Sequence, residues 1–134
     1  MATTAFRVGS LASDVVGSIK SCSANALATG HYMTLEFPIG VDYKVPTGKT
    51  FYITSISGYG TTVNTEFYIG HGLTGVASAA VAPTSWTPLV YSFFLVNASQ
   101  EYHFDVFLPV PADAYPCILS MAGNIIVRIS GIEV

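Results

Sequence analysis

Three side chains that could perform acid–base chemistry or bind a metal lie close together in the sequence, at Glu101, His103 and Asp105. Because each is two residues from the next, all three share one face of an extended strand. Histidine and carboxylate groups are ordinary metal ligands and general acids or bases. Along a strand, however, the three span roughly 13 Å, too far for them to converge on one small ion. We therefore expect a solvated outer strand face.

A second candidate motif, Gly48-Lys49-Thr50, matches the end of a phosphate-binding P-loop. The full motif needs a glycine five positions before Gly48, where this chain has Tyr43, and it needs a helix afterwards. The residues that follow Lys49 are instead β-branched and aromatic, which is typical of a strand. We predict a turn that leads into a β-strand.

Other catalytic signatures are missing from the sequence. The three histidines, His31, His71 and His103, are widely separated and include no His-x-His pair of the kind used by cupin metal sites. Neither cysteine, Cys22 or Cys117, has a histidine neighbour, and no Gly-x-Ser-x-Gly elbow occurs. The sequence therefore predicts a protein that is not an enzyme and that has no metal or cofactor.

Charge is unusually scarce in this chain of 134 residues. Only 10% of the residues are Asp, Glu, Lys or Arg, against about 25% in an ordinary soluble domain. None occurs from Phe67 to Gln100, and the five basic residues are scattered. The scatter argues against nucleic-acid binding, which needs a basic patch. The shortage of charge predicts that neighbouring subunits cover part of the surface.

A membrane is the other common explanation for low charge. The most apolar long stretch, residues 77–96, is interrupted by Pro83 and Pro88 and by hydroxyl side chains, so it is a poor candidate for a span of about 18 apolar residues. The N-terminus lacks the basic start and apolar run of a secretion signal. We expect a protein with no membrane partner, made without secretion.

The first 30 residues differ from the rest, because small Gly, Ala, Ser and Thr side chains dominate them. Leu11, Val15 and Ile19 fall at helical spacing, but the glycine and serines nearby favour an extended arm equally. We predict two parts: residues 1–30 as an N-terminal arm or short helix, and residues 31–134 as a β-sandwich domain.

From His31 onward the pattern is one of short strands and turns. The segment 101–108 alternates apolar and polar side chains. Val63, Phe67 and Ile69 are predicted to face inward, and Ile125, Val127 and Ile129 share one face. Glycine and proline separate these segments. Seven or eight antiparallel strands in an all-β, jelly-roll-like sandwich are the predicted fold.

The segment 89–96 is apolar on both of its faces. A sandwich strand normally buries one face and exposes the other, so the second face needs a cover, either another subunit or a part of the same chain. The residues predicted to form a subunit interface are Trp86, Tyr91, Phe93 and Phe94, with Leu11, Val15 and Ile19 of the arm.

The long loop between residues 70 and 86 offers a different kind of site. His71 and Trp86, with nearby Tyr68, could form an aromatic platform on which a sugar ring stacks. Alternatively, Trp86 anchors the loop to the core.

The stretch from Val45 to Ile56, with its Val-Pro-x-Gly-Lys opening, resembles a strand opening common in β-sandwich proteins of viruses and bacteriophages. The closing Ile126–Ile132 is similar to their terminal strand. The resemblance implies a virion protein assembled in the host cytoplasm, expected to be a homotrimeric head decoration (cement) subunit that binds the major capsid protein. The alternative is a receptor- or carbohydrate-binding head of a fibre or spike.

Overall fold

The computed structural model describes residues 18–27, 29–60, 65–95, 101–122 and 125–134, which form eight antiparallel strands in two sheets. The strands are β1 (Ser18–Leu27), β2 (Tyr32–Thr34), β3 (Phe51–Gly60), β4 (Thr65–Gly72), β5 (Thr87–Leu95), β6 (Glu101–Val110), β7 (Tyr115–Ala122) and β8 (Ile125–Glu133). Within these residues, no helix has the length and apolar character needed to cross a lipid bilayer.

The strands pair as if one long antiparallel hairpin had been folded into two sheets. The first sheet runs β1-β8-β3-β6 and the second β2-β7-β4-β5. Each strand of the first half is therefore hydrogen-bonded to its mirror-image strand of the second half: β1 to β8, β2 to β7, β3 to β6 and β4 to β5. Two four-stranded sheets built from such a hairpin make a jelly roll. The predicted all-β, jelly-roll-like sandwich is confirmed.

Alternation along the strands fills the space between the sheets. Phe67 and Ile69 of β4, predicted to face inward, are at most 1% exposed. Ile125, Val127 and Ile129 of β8, predicted to share one face, are equally buried, whereas Val63 lies outside the described residues. These buried residues pack in one core cluster with fully buried side chains of β3 and β7. Burial of this apolar surface is the main force that holds the two sheets together.

A bulge in β3 changes which residues face the core. Thr54 is an extra residue between Ile53 and Ser55, whose partners in β8 are consecutive. Its hydroxyl donates a hydrogen bond of 3.2 Å to the Ser130 carbonyl. Because of the extra residue, the next buried apolar position after Ile53 is Ile56, three residues on.

The sandwich includes residues that the sequence assigned to an arm. Ser18–Leu27 forms β1 and pairs with β8, so the folded domain extends back at least to Ser18 rather than beginning at His31. Ile19 is the β8 partner of Ile132, whereas Leu11 and Val15 lie outside the described residues. The alternating apolar residues of β1, Cys22, Ala24 and Ala26, are small, which is why its sequence gives only a weak strand signal.

Candidate functional site

The acid–base candidates lie on the exposed outer face of β6. His103 Nε2 is 3.0 Å from Asp105 Oδ1, and both side chains are exposed, as is Glu101. An exposed pair of this kind contributes little to stability. Among the described residues, no group of three or more His, Cys, Asp or Glu side chains is placed to hold a metal.

The P-loop-like residues form a turn, as predicted. The Lys49 amide donates to the Pro46 carbonyl at 3.0 Å, and Gly48 has a φ of 78°, a left-handed conformation that glycine adopts readily. Strand β3 begins at Phe51, directly after this turn. No helix follows to receive a phosphate.

The two cysteines are free thiols, buried in different sheets, Cys22 in β1 and Cys117 in β7. Burial raises the pKa of each thiol to about 12. Because the thiolate is the reactive form of cysteine, neither side chain is suited to nucleophilic chemistry at neutral pH.

An apolar patch occupies one end of the outer face of the first sheet. We call Tyr52, Phe107, Pro109 and Ile132 the outer patch. Tyr52 is the register partner of Ile132 on one side and of Pro109 on the other. The rings of Tyr52 and Phe107 stack with centroids 4.8 Å apart and planes 15° apart. The Phe107 side chain nevertheless remains 70% exposed.

The other end of the same face is polar. Arg128 of β8 and His103 of β6 are both register partners of Ser57 in β3, so the three lie in one row across the sheet. Arg128 and His103 are exposed. The outer face is therefore divided into an apolar end and a charged end. A uniformly solvated surface would have polar side chains at both ends.

The loop formed by residues 73–86, here called the covering loop, lies along the free edge of β2 in the second sheet. The Tyr32 amide donates to the Ala79 carbonyl at 2.8 Å, and the Ala79 amide returns a bond of 3.0 Å to Tyr32. The Thr34 amide donates to the Val76 carbonyl at 2.8 Å. These bonds use the free edge of β2, which would otherwise be open to pairing with another chain.

The covering loop buries polar and sulfur atoms outside the main core. Thr34 and Cys117 are register partners, and alternation turns both away from the core residue Ile118. Both are nevertheless completely buried. The Val76 amide of the loop donates a 2.8 Å hydrogen bond to Thr34 Oγ1, which ties the loop to the sheet beneath it.

The proposed aromatic platform is only partly assembled. Trp86 contacts Tyr32 edge to face, with centroids 5.3 Å apart and planes at 81°. Tyr32 and Tyr68 are both register partners of Leu119 and so lie on the same outer face. His71 is three residues from Tyr68, and alternation places it on the opposite face.

His71 is half-buried, and burial lowers the pKa of its imidazole. The ring that contacts Trp86 in the described structure is that of Tyr32, a residue that the sequence did not link to the loop. Long-range hydrogen bonds between β2 and residues 76–79 hold the loop beside Tyr32, and no local sequence pattern signals these bonds.

For the candidate subunit interface, the structure describes the backbone of β5 and the side chain of Trp86. Tyr91, Phe93 and Phe94 belong to β5, an edge strand of the second sheet, but their side chains lie outside the described part of the structure. Trp86 is half-buried at the end of the covering loop. The outer patch has no local signal in the sequence, because Tyr52 and Phe107 are far apart in the chain.

The fold thus presents two candidate surfaces, the outer patch and the Tyr32–Trp86 pair with its loop. No protein-family model, curated protein or solved structure matches this chain.

Proposed function

We propose that this chain is a non-catalytic structural subunit that binds other protein chains through the outer patch. The observation that carries the proposal is the stacked pair of Tyr52 and Phe107 on an exposed sheet face, with Phe107 70% exposed. Stacking on a neighbouring ring orders the Phe107 side chain before any partner arrives. A rigid aromatic anchor loses little conformational entropy on binding, which is a property of interface hot spots.

The composition of the chain supports assembly. With 10% charged residues, the surface has few groups that would keep separate copies apart in solution. Each Å² of apolar surface removed from water contributes roughly 25 cal/mol. Covering the outer patch therefore stabilises the complex with the partner, and none of the four patch residues carries a formal charge that would lose its hydration.

The setting we propose is a virus or phage particle, in which the chain is a homotrimeric decoration or cement subunit on the major capsid protein. One support is the resemblance of residues 45–56 and 126–132 to strands of such proteins. The other is the jelly-roll strand order, which occurs in viral capsid proteins and also in proteins with other functions. A subunit that binds only the assembled lattice stabilises it by mass action.

Light scattering coupled to size exclusion tests the assembly proposal. We expect the wild-type chain to run as an oligomer of its 14.2 kDa mass and Phe107→Ser to shift it toward monomer. Val81→Ser is the matched control, because Val81 is 74% exposed but lies in the covering loop. A wild-type chain that is monomeric, and that does not cosediment with particles from its source, would overturn the proposal.

A second candidate function, carbohydrate binding, is favoured by one observation. Trp86 and Tyr32 form an edge-to-face pair at the end of a loop that several hydrogen bonds hold in place. Such rings stack on the apolar faces of sugars. A glycan array tests this function: it predicts binding by the wild type and loss with Trp86→Ala, while Phe107→Ser continues to bind.

A further inference from the structure

We infer that the outer patch of one copy is occupied by the N-terminal segment, residues 1–17, of a second copy, so that neighbouring subunits exchange arms. The inference rests on the proposed function, because it names the partner that covers the patch. It follows from where the segment joins the sheet, from its residues and from the sequence that precedes β1.

The segment joins the fold beside the patch. Strand β1 begins at Ser18, whose partner is Glu133, and the next residue, Ile19, pairs with Ile132. Ile132 belongs to the outer patch and pairs in turn with Tyr52. The chain therefore leaves the sheet at the same end as the patch, rather than at the charged end marked by Arg128.

The segment is long enough to cross a neighbour's sheet. Four strands spaced by about 4.8 Å span about 14 Å from first to last. Seventeen extended residues reach up to about 56 Å at roughly 3.3 Å per residue. Three-quarters of that length remains for the passage between two copies.

The segment also has suitable side chains. Phe6 and Val8 flank Arg7, so in an extended conformation the two apolar side chains lie on one face and the arginine on the other. Arg7 and Asp14 are the only charged side chains among residues 1–17. An apolar strand face of this kind suits the outer patch, and Arg7 would point to solvent.

The sequence before β1 favours a neighbour's patch over the chain's own. To reach its own patch the segment must reverse direction at the start of β1. A tight reversal is typically encoded by Asn-Gly or Asp-Gly, but here Val15-Val16 precedes Gly17. Two β-branched residues in succession favour extended backbone rather than a tight reversal, and an extended segment suits a patch on another copy.

Deleting residues 1–17 is the first test. We expect the deletion to convert the oligomer to a monomer, and a synthetic peptide of residues 1–17 to bind the truncated protein. Phe107→Ser in that truncated protein is expected to weaken peptide binding at least about tenfold, as loss of a hot-spot ring does, while Val81→Ser leaves it unchanged. Circular dichroism of the truncated protein checks that its sandwich is folded.

A cysteine cross-link separates exchange between copies from docking within one copy. Leu11→Cys and Pro109→Cys are made in separate chains, mixed and oxidised; the native thiols are buried. Exchange predicts a covalent dimer containing one chain of each kind. If both changes in a single chain give only a cross-linked monomer, the segment docks on its own sheet and the inference is wrong.

The outcomes also distinguish this inference from the proposed function. A truncated protein that stays oligomeric while Phe107→Ser becomes monomeric would leave assembly through the patch intact and would overturn arm exchange. A wild-type monomer that does not cosediment with particles would overturn both.

Discussion

The hydroxyl of Tyr43 donates a hydrogen bond of 2.7 Å to Glu133 Oε2. This bond joins the segment before β3 to β8, the last strand in the chain. The Tyr43 ring is buried and meets Phe51 edge to face, with centroids 5.1 Å apart. Burial, then the hydrogen bond to Glu133 and its charge, raises the pKa of Tyr43 far above the usual value for a phenol. The proton of this hydroxyl is therefore held tightly in the folded protein.

Tyr43→Phe keeps the ring and removes the hydroxyl. We expect the free energy of unfolding at pH 7 to fall by about 2 kcal/mol, because Glu133 loses a charge-assisted hydrogen bond in a partly buried position. Urea denaturation followed by fluorescence measures the change. Tyr52→Phe, which keeps its stacking ring, is the control and should stay within about 0.5 kcal/mol of wild type. Equal stability of Tyr43→Phe and wild type would contradict this account.

The buried thiols predict a loss of stability in alkaline solution. Their pKa rises from 9.0 to about 12 on folding, so between these pH values the unfolded chain releases protons that the folded chain retains. The thiols therefore leave the free energy of unfolding unchanged below pH 9 and above it lower that free energy by about 1.4 kcal/mol per pH unit for each thiol.

Urea denaturation of reduced protein at several pH values from 8 to about 11 measures this slope. We expect the double variant Cys22→Ala/Cys117→Ala to show a clearly shallower slope than wild type. The remaining decline above about pH 10 is assigned to tyrosine, Tyr43 included. Identical slopes for the two proteins would show that the thiols ionise as easily in the folded state as in the unfolded chain.

Gly131 is a position in β8 where no larger residue fits without movement. A Cβ atom there would lie 2.3 Å from the Tyr52 carbonyl oxygen and 2.6 Å from the Phe51 ring. We expect Gly131→Ala to lower the free energy of unfolding by more than about 2 kcal/mol, because the β3–β8 pairing must shift. Ser130→Ala, one residue away, is the control; a thermal midpoint for Gly131→Ala no lower than that of the control would contradict the packing described.

Thr34 holds the covering loop to the second sheet. Thr34→Val preserves the shape of the side chain but leaves the Val76 amide without its acceptor, at a cost of about 1–3 kcal/mol. We expect the loop to open more often and Cys117 to react at least several-fold faster with a thiol reagent under native conditions. Thr47→Val, which removes an exposed hydrogen bond to Asp113, should leave the labelling rate unchanged.

Local alternation was enough to predict much of this fold. It placed Phe67 and Ile69 inward and put Ile125, Val127 and Ile129 on one face of β8, both correctly, because each strand has one face against the core. The turn at Gly48 was equally predictable, since only a strand-forming sequence follows it. These features depend on residues close together in the chain.

The features that define the candidate site are long-range and could not be predicted. Thr34 and Cys117 alternate away from the core, yet they are buried because a distant loop folds over them. Tyr52 and Phe107 meet only because β3 pairs with β6. Strand β1 alternates only through the small residues Cys22, Ala24 and Ala26, so its pairing with β8 is what identifies it as a strand.

The mirrored pairing of the strands has a consequence for how the protein is made. During translation β4 and β5 emerge in succession and can pair at once, but β1 is the first of the eight strands to leave the ribosome and its partner β8 is the last. Closure of the outermost pair must wait for every intervening strand, and such long loops are slow to close. The β1–β8 edge, where the N-terminal segment joins the fold, is therefore the last part of the sandwich to be completed.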